Sequence, residues 1–231
     1  VEIVYEEIRG VDLRPAVKTF SAAGHEYQAR TVIIANGAAH RHLNCPGEEK
    51  FAGKGVSYCA ACDGAFYKGQ DVCVVGGGNS ALEDALYLAR TCRKVYLIHR
   101  GNEFRANRVT VNAVKACPNV ELIANSTVEE ILGGDLVEAV EIRHNMQFHK
   151  RRLDVSGIFV AIGLEPQNQL FSSSLRLDGA GYIVAGEDCK TNIPGVFVAG
   201  DTRTKKVRQL VTAAADGAVA ATEAAQYCAM T

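Results

Sequence analysis

The chain has 231 residues, 48% hydrophobic and 22% charged, which is enough for one large packed domain or two ordinary ones. A net charge of −1 gives no electrostatic case for a nucleic-acid or anionic-membrane partner. No window approaches the ~18 consecutive apolar residues of a membrane span, and the N-terminus has neither the basic nor the apolar region of a signal peptide.

In chain order, residues 1–35 read as three strands joined by turns. Residues 1–5 alternate and look like the middle of a strand in a longer protein, a second strand falls at 18–21, and Gly24-His25 turns into a third at 26–29. The apolar run Thr31-Val32-Ile33-Ile34-Ala35, closed by Asn36-Gly37, predicts a buried strand ending in a loop. Pro46-Gly47 marks a linker. From Asp71 the pattern becomes βαβαβ: a strand at 72–75, a glycine loop, a helix at 81–89, a strand at 95–98, a helix at 105–117 stopped by Pro118, and a strand at 120–123. The first helix places Leu82, Ala85, Leu86 and Ala89 on one face. This is a doubly wound nucleotide-binding unit. Antiparallel strands follow within 127–153, including 136–142, then a buried strand at 157–163 and a second linker at Glu165-Pro166. The tail has a strand at 195–201 and an Ala-rich helix at 209–228.

Gly76-x-Gly78-x-x-Ala81 matches the dinucleotide fingerprint, with alanine in its third slot. It follows a strand and opens a helix, whose free N–H groups and positive dipole end suit a pyrophosphate. A glycine-rich turn without a ligand is the weaker reading. At the end of the next strand, where an NAD site carries Asp or Glu, stand His99-Arg100 and then Arg105. Guanidinium groups fit a 2′-phosphate, so the predicted cofactor is NADPH. Glu103 in the same loop is the feature that favours the adenosine ribose, and a solvated arginine pair is the second reading.

Of the eight cysteines, only Cys59 and Cys62 are closely paired. The others are scattered, which suits a reducing cytoplasm rather than a secreted disulfide scaffold. Cys73 and Cys92 read as small core hydrophobes. The C-x-x-C spacing puts both sulfurs on one turn, where a disulfide can close and reopen, and adjacent Asp63 can shuttle a proton. Structural zinc needs about four ligands. No second C-x-x-C and no H-x-x-x-H occurs, so no metal is expected. An inert thiol pair is the remaining alternative.

The run Cys59-Ala60-Ala61-Cys62-Asp63-Gly64, followed by Gly76-Gly77-Gly78-Asn79-Ser80-Ala81-Leu82-Glu83, resembles the low-molecular-weight, bacterial-type thioredoxin reductases. Two further stretches resemble that family's flavin-contacting segments. One is Ala35-Asn36-Gly37-Ala38, with asparagine where threonine is usual. The other is residues 195–201 followed by Arg208-Gln209 and Thr212-Ala213-Ala214. The resemblance implies an α/β fold of two Rossmann-like domains with three-layer ββα architecture. An NADPH domain, 43–153, is inserted into an FAD domain formed by 1–42 and 154–231, whose N-terminal glycine-loop segment is not found before Thr31.

The resemblance also implies thioredoxin-disulfide reduction, with electrons passing from NADPH through FAD to Cys59–Cys62. Cys59 would attack thioredoxin or a thioredoxin-like acceptor, Cys62 would face the flavin, and Asp63 would be the acid/base. The implied NADPH contacts are Gly76, Gly78, Asn79, Ser80, Ala81, Glu83, His99, Arg100, Arg105, Ile162 and Gly163. The implied FAD contacts are Asn36, Gly37, Gly200, Asp201, Arg208, Gln209, Thr212 and Ala213. A cytoplasmic homodimer is the expected setting, and the linkers near 43 and 154 the expected hinges. Gly101 departs from the family's second arginine at the 2′-phosphate site. The alternatives are the reductase of a peroxiredoxin system, a ferredoxin-driven relative, and a truncated nucleotide-binding module without turnover.

Overall fold

The computed structural model describes residues 2–230. The chain divides into two compact units: His40–Gly163 forms one, and the residues up to Ala39 join those from Leu164 onward in the other.

The second of these units begins with an antiparallel meander of β1 (Ile8–Asp12), β2 (Lys18–Ala22) and β3 (His25–Ala29). The expected strand at 1–5 is not part of it. Ile3 and Tyr5 are 71% and 93% exposed, so their side chains have no sheet to pack on; residue 1 lies outside the described residues. Next comes β4 (Val32–Ile34), within the predicted apolar run, and β5 (Ala38–His40). The expectation of a fully buried strand is only half met at β4: Ile34 is buried, whereas Ile33 is 40% exposed because one face of the strand is uncovered.

The inner unit carries β6 (Val56–Ser57), the short helix α1 (Ala60–Asp63), β7 (Asp71–Val75), α2 (Asn79–Ala89), β8 (Lys94–Ile98), α3 (Arg108–Ala116) and β9 (Val120–Ile123). Then follow β10 (Ser126–Gly133), β11 (Val137–His144), β12 (Lys150–Asp154) and β13 (Gly157–Val160). Strands β6-β13-β7-β8-β9 form one parallel sheet, and β10-β11-β12 an antiparallel one. β13 therefore belongs to the inner sheet, beyond the expected boundary at residue 153. The period-2 alternation of β7 separates two cores. Val72 and Val74 pack with Ala81, Leu82, Ala85 and Leu88 of α2, while Cys73 and Val75 pack with Ile131, Val140, Ile142 and Leu153 of the antiparallel sheet. The layers run helix, parallel sheet, antiparallel sheet, which is the ββα arrangement.

The helix face of α2 is rotated slightly from the one expected: Leu88 is fully buried, whereas Leu86 and Ala89 lie at its margin. α3 starts at Arg108 rather than at residue 105, because the Asn107 side chain caps it by accepting the Thr110 N–H at 2.8 Å. It stops before Pro118, with Cys117 in the extended conformation that a following proline favours.

After β14 (Leu164–Pro166), β15 (Val196–Val198) pairs parallel with β4, and α4 (Leu210–Met230) closes the chain. α4 buries one stripe, Asp216, Ala220 and Ala224, with the alanines packed against Phe197, Ala199 and Cys189. Asp216 is the exception in that stripe, and it is fully engaged. Its carboxylate accepts from Arg203 Nε and Nη2 (both 2.8 Å), from Lys205 Nζ (2.7 Å) and from the Gly200 N–H (2.9 Å). The Arg203 hydrogen bonds, reinforced by Lys205 and Gly200, hold this carboxyl well below the usual carboxylate range.

Asp216→Asn should lower stability by about 3–5 kcal/mol, because it leaves two buried cations without a countercharge. The folded pKa of Asp216 lies below its unfolded value, so its contribution is intact above the ordinary carboxylate range and lost as pH falls. Melting curves should therefore show the parent losing stability toward acid more steeply than the variant.

Candidate functional site

The nucleotide loop is the whole connection between β7 and α2. A Cβ on Gly76 would collide with the Ala161 carbonyl oxygen and the Ala81 methyl, and a Cβ on Gly77 with the His99 ring. Glycine at both positions lets the loop pass tightly beneath its neighbours. Gly78 differs from both: the space its Cβ would fill is open, and no side chain caps the helix it precedes. The first-turn N–H groups of α2, flanked by exposed Ser80 and Glu83, are thus available to a pyrophosphate. That uncapped end beside an open glycine is the observation by which this loop fits a dinucleotide. Just across from it, the chain beyond β13 brings Ala161, Ile162 and Gly163 to the same sheet edge. Ile162 packs on the apolar cluster, and the Gly163 carbonyl accepts from the Arg41 N–H at 3.0 Å.

The loop at 99–107 is fastened to the glycine loop. The Arg105 N–H donates to the Gly77 carbonyl at 2.7 Å. Asn79 Oδ1 accepts from the Asn107 N–H at 2.9 Å and its amide at 3.3 Å, so the Asn79 side chain is spent on joining the starts of α2 and α3. His99 is buried, its Nε2 lies 3.0 Å from the Glu103 carbonyl, and its ring stacks on Phe104. Burial, then the neighbouring Arg105 and Arg100, push its pKa down, so His99 is a neutral packing element and not a third cation. Arg100 and Arg105 are exposed and have no ion-pair partner among the described residues.

Cys59 and Cys62 are joined in a disulfide, with Cα atoms 5.3 Å apart. Cys59 sits at the N-cap of α1, where its Sγ accepts the Cys62 N–H at 3.2 Å. Cys62 is exposed and Cys59 partly so. Asp63 is fixed from two directions: its N–H donates to the Cys59 carbonyl at 3.1 Å, and its Oδ2 accepts from the Ser57 hydroxyl at 2.7 Å. The six remaining cysteines are free. Among them burial pushes the Cys73 thiol up, consistent with an inert core role.

Two residues beside the pair escape a reading by motif. Ser57 ends the strand leading into it, and Phe66 lies one turn beyond it, 76% exposed. An apolar ring in a turn, next to a redox pair, is the signal that could have found Phe66.

The other unit holds the second set of motifs. Asp201 Oδ1 is buried and has no hydrogen-bond partner, the observation by which this segment fits a polyhydroxylated cofactor such as FAD. The Asp201 carbonyl accepts from Arg208 Nε at 3.3 Å, and the Arg208 guanidinium lies 4.0 Å from the Tyr182 ring centroid. Thr212 Oγ1 accepts from the Gln209 N–H at 3.2 Å, and the Ala213 N–H donates to the Gln209 carbonyl at 3.0 Å. Next to Gly37, the Asn36 amide donates to the Gln167 carbonyl at 2.8 Å and to Asn168 Oδ1 at 3.2 Å, which ties its loop down internally.

Residues 2–217 match the family model described as pyridine nucleotide-disulphide oxidoreductase. The chain is 44% identical over 232 residues to a thioredoxin reductase of Peptoclostridium acidaminophilum, covering 98% of this chain and 74% of that protein. It is 43% identical to a thioredoxin reductase of Listeria innocua, covering 98% and 71%. The crystal structure of thioredoxin reductase from Streptococcus pyogenes superposes with a TM-score of 0.94 at 37% identity, covering 100% of this chain and 76% of that one.

Gly77→Ala should weaken binding of adenosine 2′,5′-bisphosphate by about tenfold or more, equivalent to about 1.4 kcal/mol, measured by titration calorimetry. Adding His99→Ala should recover part of that loss. No recovery would mean that the ring is not what the new methyl strikes.

Proposed function

This chain belongs to the pyridine nucleotide-disulphide oxidoreductase family, and we propose that it serves there as a thioredoxin-disulfide reductase using NADPH and FAD. The observation that carries the reading is the Cys59–Cys62 disulfide with Asp63 beside it, in the same unit as an open dinucleotide loop. When bound, the two cofactors supply the pair of electrons that opens the disulfide.

The residues of the chain take the following parts. The backbone of Gly76–Gly78 and the first turn of α2 hold the pyrophosphate, with Ile162 and Gly163 bounding the same edge. Arg100 and Arg105 pair with the 2′-phosphate, a task for which free guanidinium groups are suited. Asp201 would offer its unpaired oxygen to a hydroxyl of FAD, with the Gln209–Ala213 turn and Gly37 as further contacts of that cofactor. In the exchange step the Cys59 thiolate attacks the acceptor's disulfide, one acceptor sulfur leaves and takes a proton, and a mixed disulfide forms. The Cys62 thiolate then attacks Cys59, re-forms Cys59–Cys62 and releases the second acceptor sulfur, which takes a proton in turn. Asp63, next to Cys62 in the chain, is the group assigned to carry these protons. Exposed Phe66 offers an apolar anchor for the acceptor beside the pair.

The six free cysteines support a reducing cytoplasmic setting. No helix is long and apolar enough to cross a membrane among the described residues. The exposed Leu210 and Val211 of α4 support association into a homodimer.

The test is NADPH-dependent reduction of thioredoxin by the purified chain supplied with FAD. Turnover abolished by Cys59→Ser and by Cys62→Ser is the expected result, and turnover retained in either variant would remove the pair from the reaction. Arg100→Ala should raise KM for NADPH by about tenfold or more with little change for NADH. Equal effects on both would show that Arg100 does not read the 2′-phosphate.

A further inference from the structure

Ser57 is a buried polar residue at the end of the two-residue strand β6, held in register opposite Phe159 of β13. Its hydroxyl has one proton to give and lone pairs to receive. The proton goes to Asp63 Oδ2 at 2.7 Å, and the oxygen receives the Cys59 N–H at 3.1 Å. The Cys59 carbonyl, 3.4 Å away, is the poorer acceptor. The hydroxyl therefore sits between the backbone of Cys59, two positions on, and the carboxylate of Asp63, six positions on. Among the described residues it is the one side chain that donates to Asp63.

We propose that Ser57 is a positioning residue for the disulfide exchange: its hydroxyl fixes the orientation of the Asp63 carboxylate and ties that orientation to the backbone of Cys59. The proposal rests on the acid/base reading of Asp63. A donor out of water holds a carboxylate in one orientation more firmly than an exposed one does. When the pair opens and Cys59 moves, the same hydroxyl passes the displacement to the group that must meet the proton. The neighbouring titratable groups are Tyr58, which is joined in turn to Glu48 and His42, Tyr67, and Glu83, Asp84 and Tyr87 on the helix packed against α1. All of them stay in place in a Ser57 variant, which makes Ser57 separable from them.

The experiment follows alkylation of Cys59 and Cys62 in the reduced chain by iodoacetamide as a function of pH, read by mass spectrometry of the peptide that carries both so that the six other free cysteines do not contribute, and it needs no cofactor. Ser57→Ala should move the midpoint by at least about half a pH unit, a roughly threefold change in rate on its acid side. Ser57→Thr, which keeps the hydroxyl, should restore the parent profile. In an Asp63→Asn background Ser57→Ala should have no further effect. A Ser57→Ala profile that overlays the parent overturns the proposal, and so does an equal shift with and without the Asp63 carboxylate. If Asp63→Asn itself leaves the profile untouched, the acid/base reading of Asp63 fails. If Asp63→Asn shifts it and Ser57→Ala does not, only the role of Ser57 fails.

Discussion

A strand buried on both faces must be covered twice, and in this protein that strand is β7. Val72, Cys73 and Val74 are fully buried, and Val75 nearly so. Each apolar side chain removed from water contributes on the order of 1.5–3 kcal/mol, so neither face can be left open. One cover is α2, supplied by the chain immediately after the strand. The other is the β10–β12 sheet, supplied later. With both faces closed, the carboxyl edge is the part of the sheet left for chemistry. From β7 the chain moves outward through β8 and β9 on one side, while β13 and β6 arrive on the other. That reversal is the switch point at whose strand ends doubly wound folds bind their ligands. The glycine loop leaves β7 there, Ile162 and Gly163 follow β13 there, and the cysteine pair follows β6 there.

What could be read from the residues was what is encoded within one element or its next neighbour. The βαβαβ run, the glycine loop and the cysteine pair are local patterns, and each element of the run is present in the expected order, with boundaries shifted by up to three residues. The failures share a cause. Residues 1–5 alternate well enough for a strand, but alternation says nothing about whether a partner strand stands alongside. Ile33 belongs to a convincing apolar run, yet only one face of β4 is covered. The packing of the His99 ring against Gly77 and Phe104 was not legible either. Nor was the bond to the Asn79 oxygen, which comes from a residue 28 positions away. No sequence pattern names such a partner. Asn107 is a different case, since its residue type is that of a helix cap and it stands two positions inside the start expected at residue 105.

The other unit is organised from a charge rather than from an apolar strand. Asp216 lies on the buried stripe of a helix otherwise built of alanine, and two cations and a backbone amide converge on it. Desolvating a carboxylate is costly, and here the geometry offsets the cost by filling both oxygens. The amide is that of Gly200, so this network fixes the backbone next to Asp201, whose own oxygen is left unpaired. A rigid support under one unsatisfied acceptor is how a fold keeps a binding group ready without a ligand.

The fastening of residues 99–107 to the glycine loop bears on how this site can evolve. The Arg105 N–H donates to the Gly77 carbonyl, the Asn107 N–H donates to the Asn79 side-chain oxygen, and the His99 ring occupies the volume that Gly77 vacates. Insertions, deletions or loop transplants in either segment would misalign the other, so the two must drift together. Substitution at the exposed tips of Arg100 and Arg105 carries no such penalty. A lineage changing its coenzyme preference has an inexpensive route through those two side chains, and a steep epistatic barrier along the backbone that presents them.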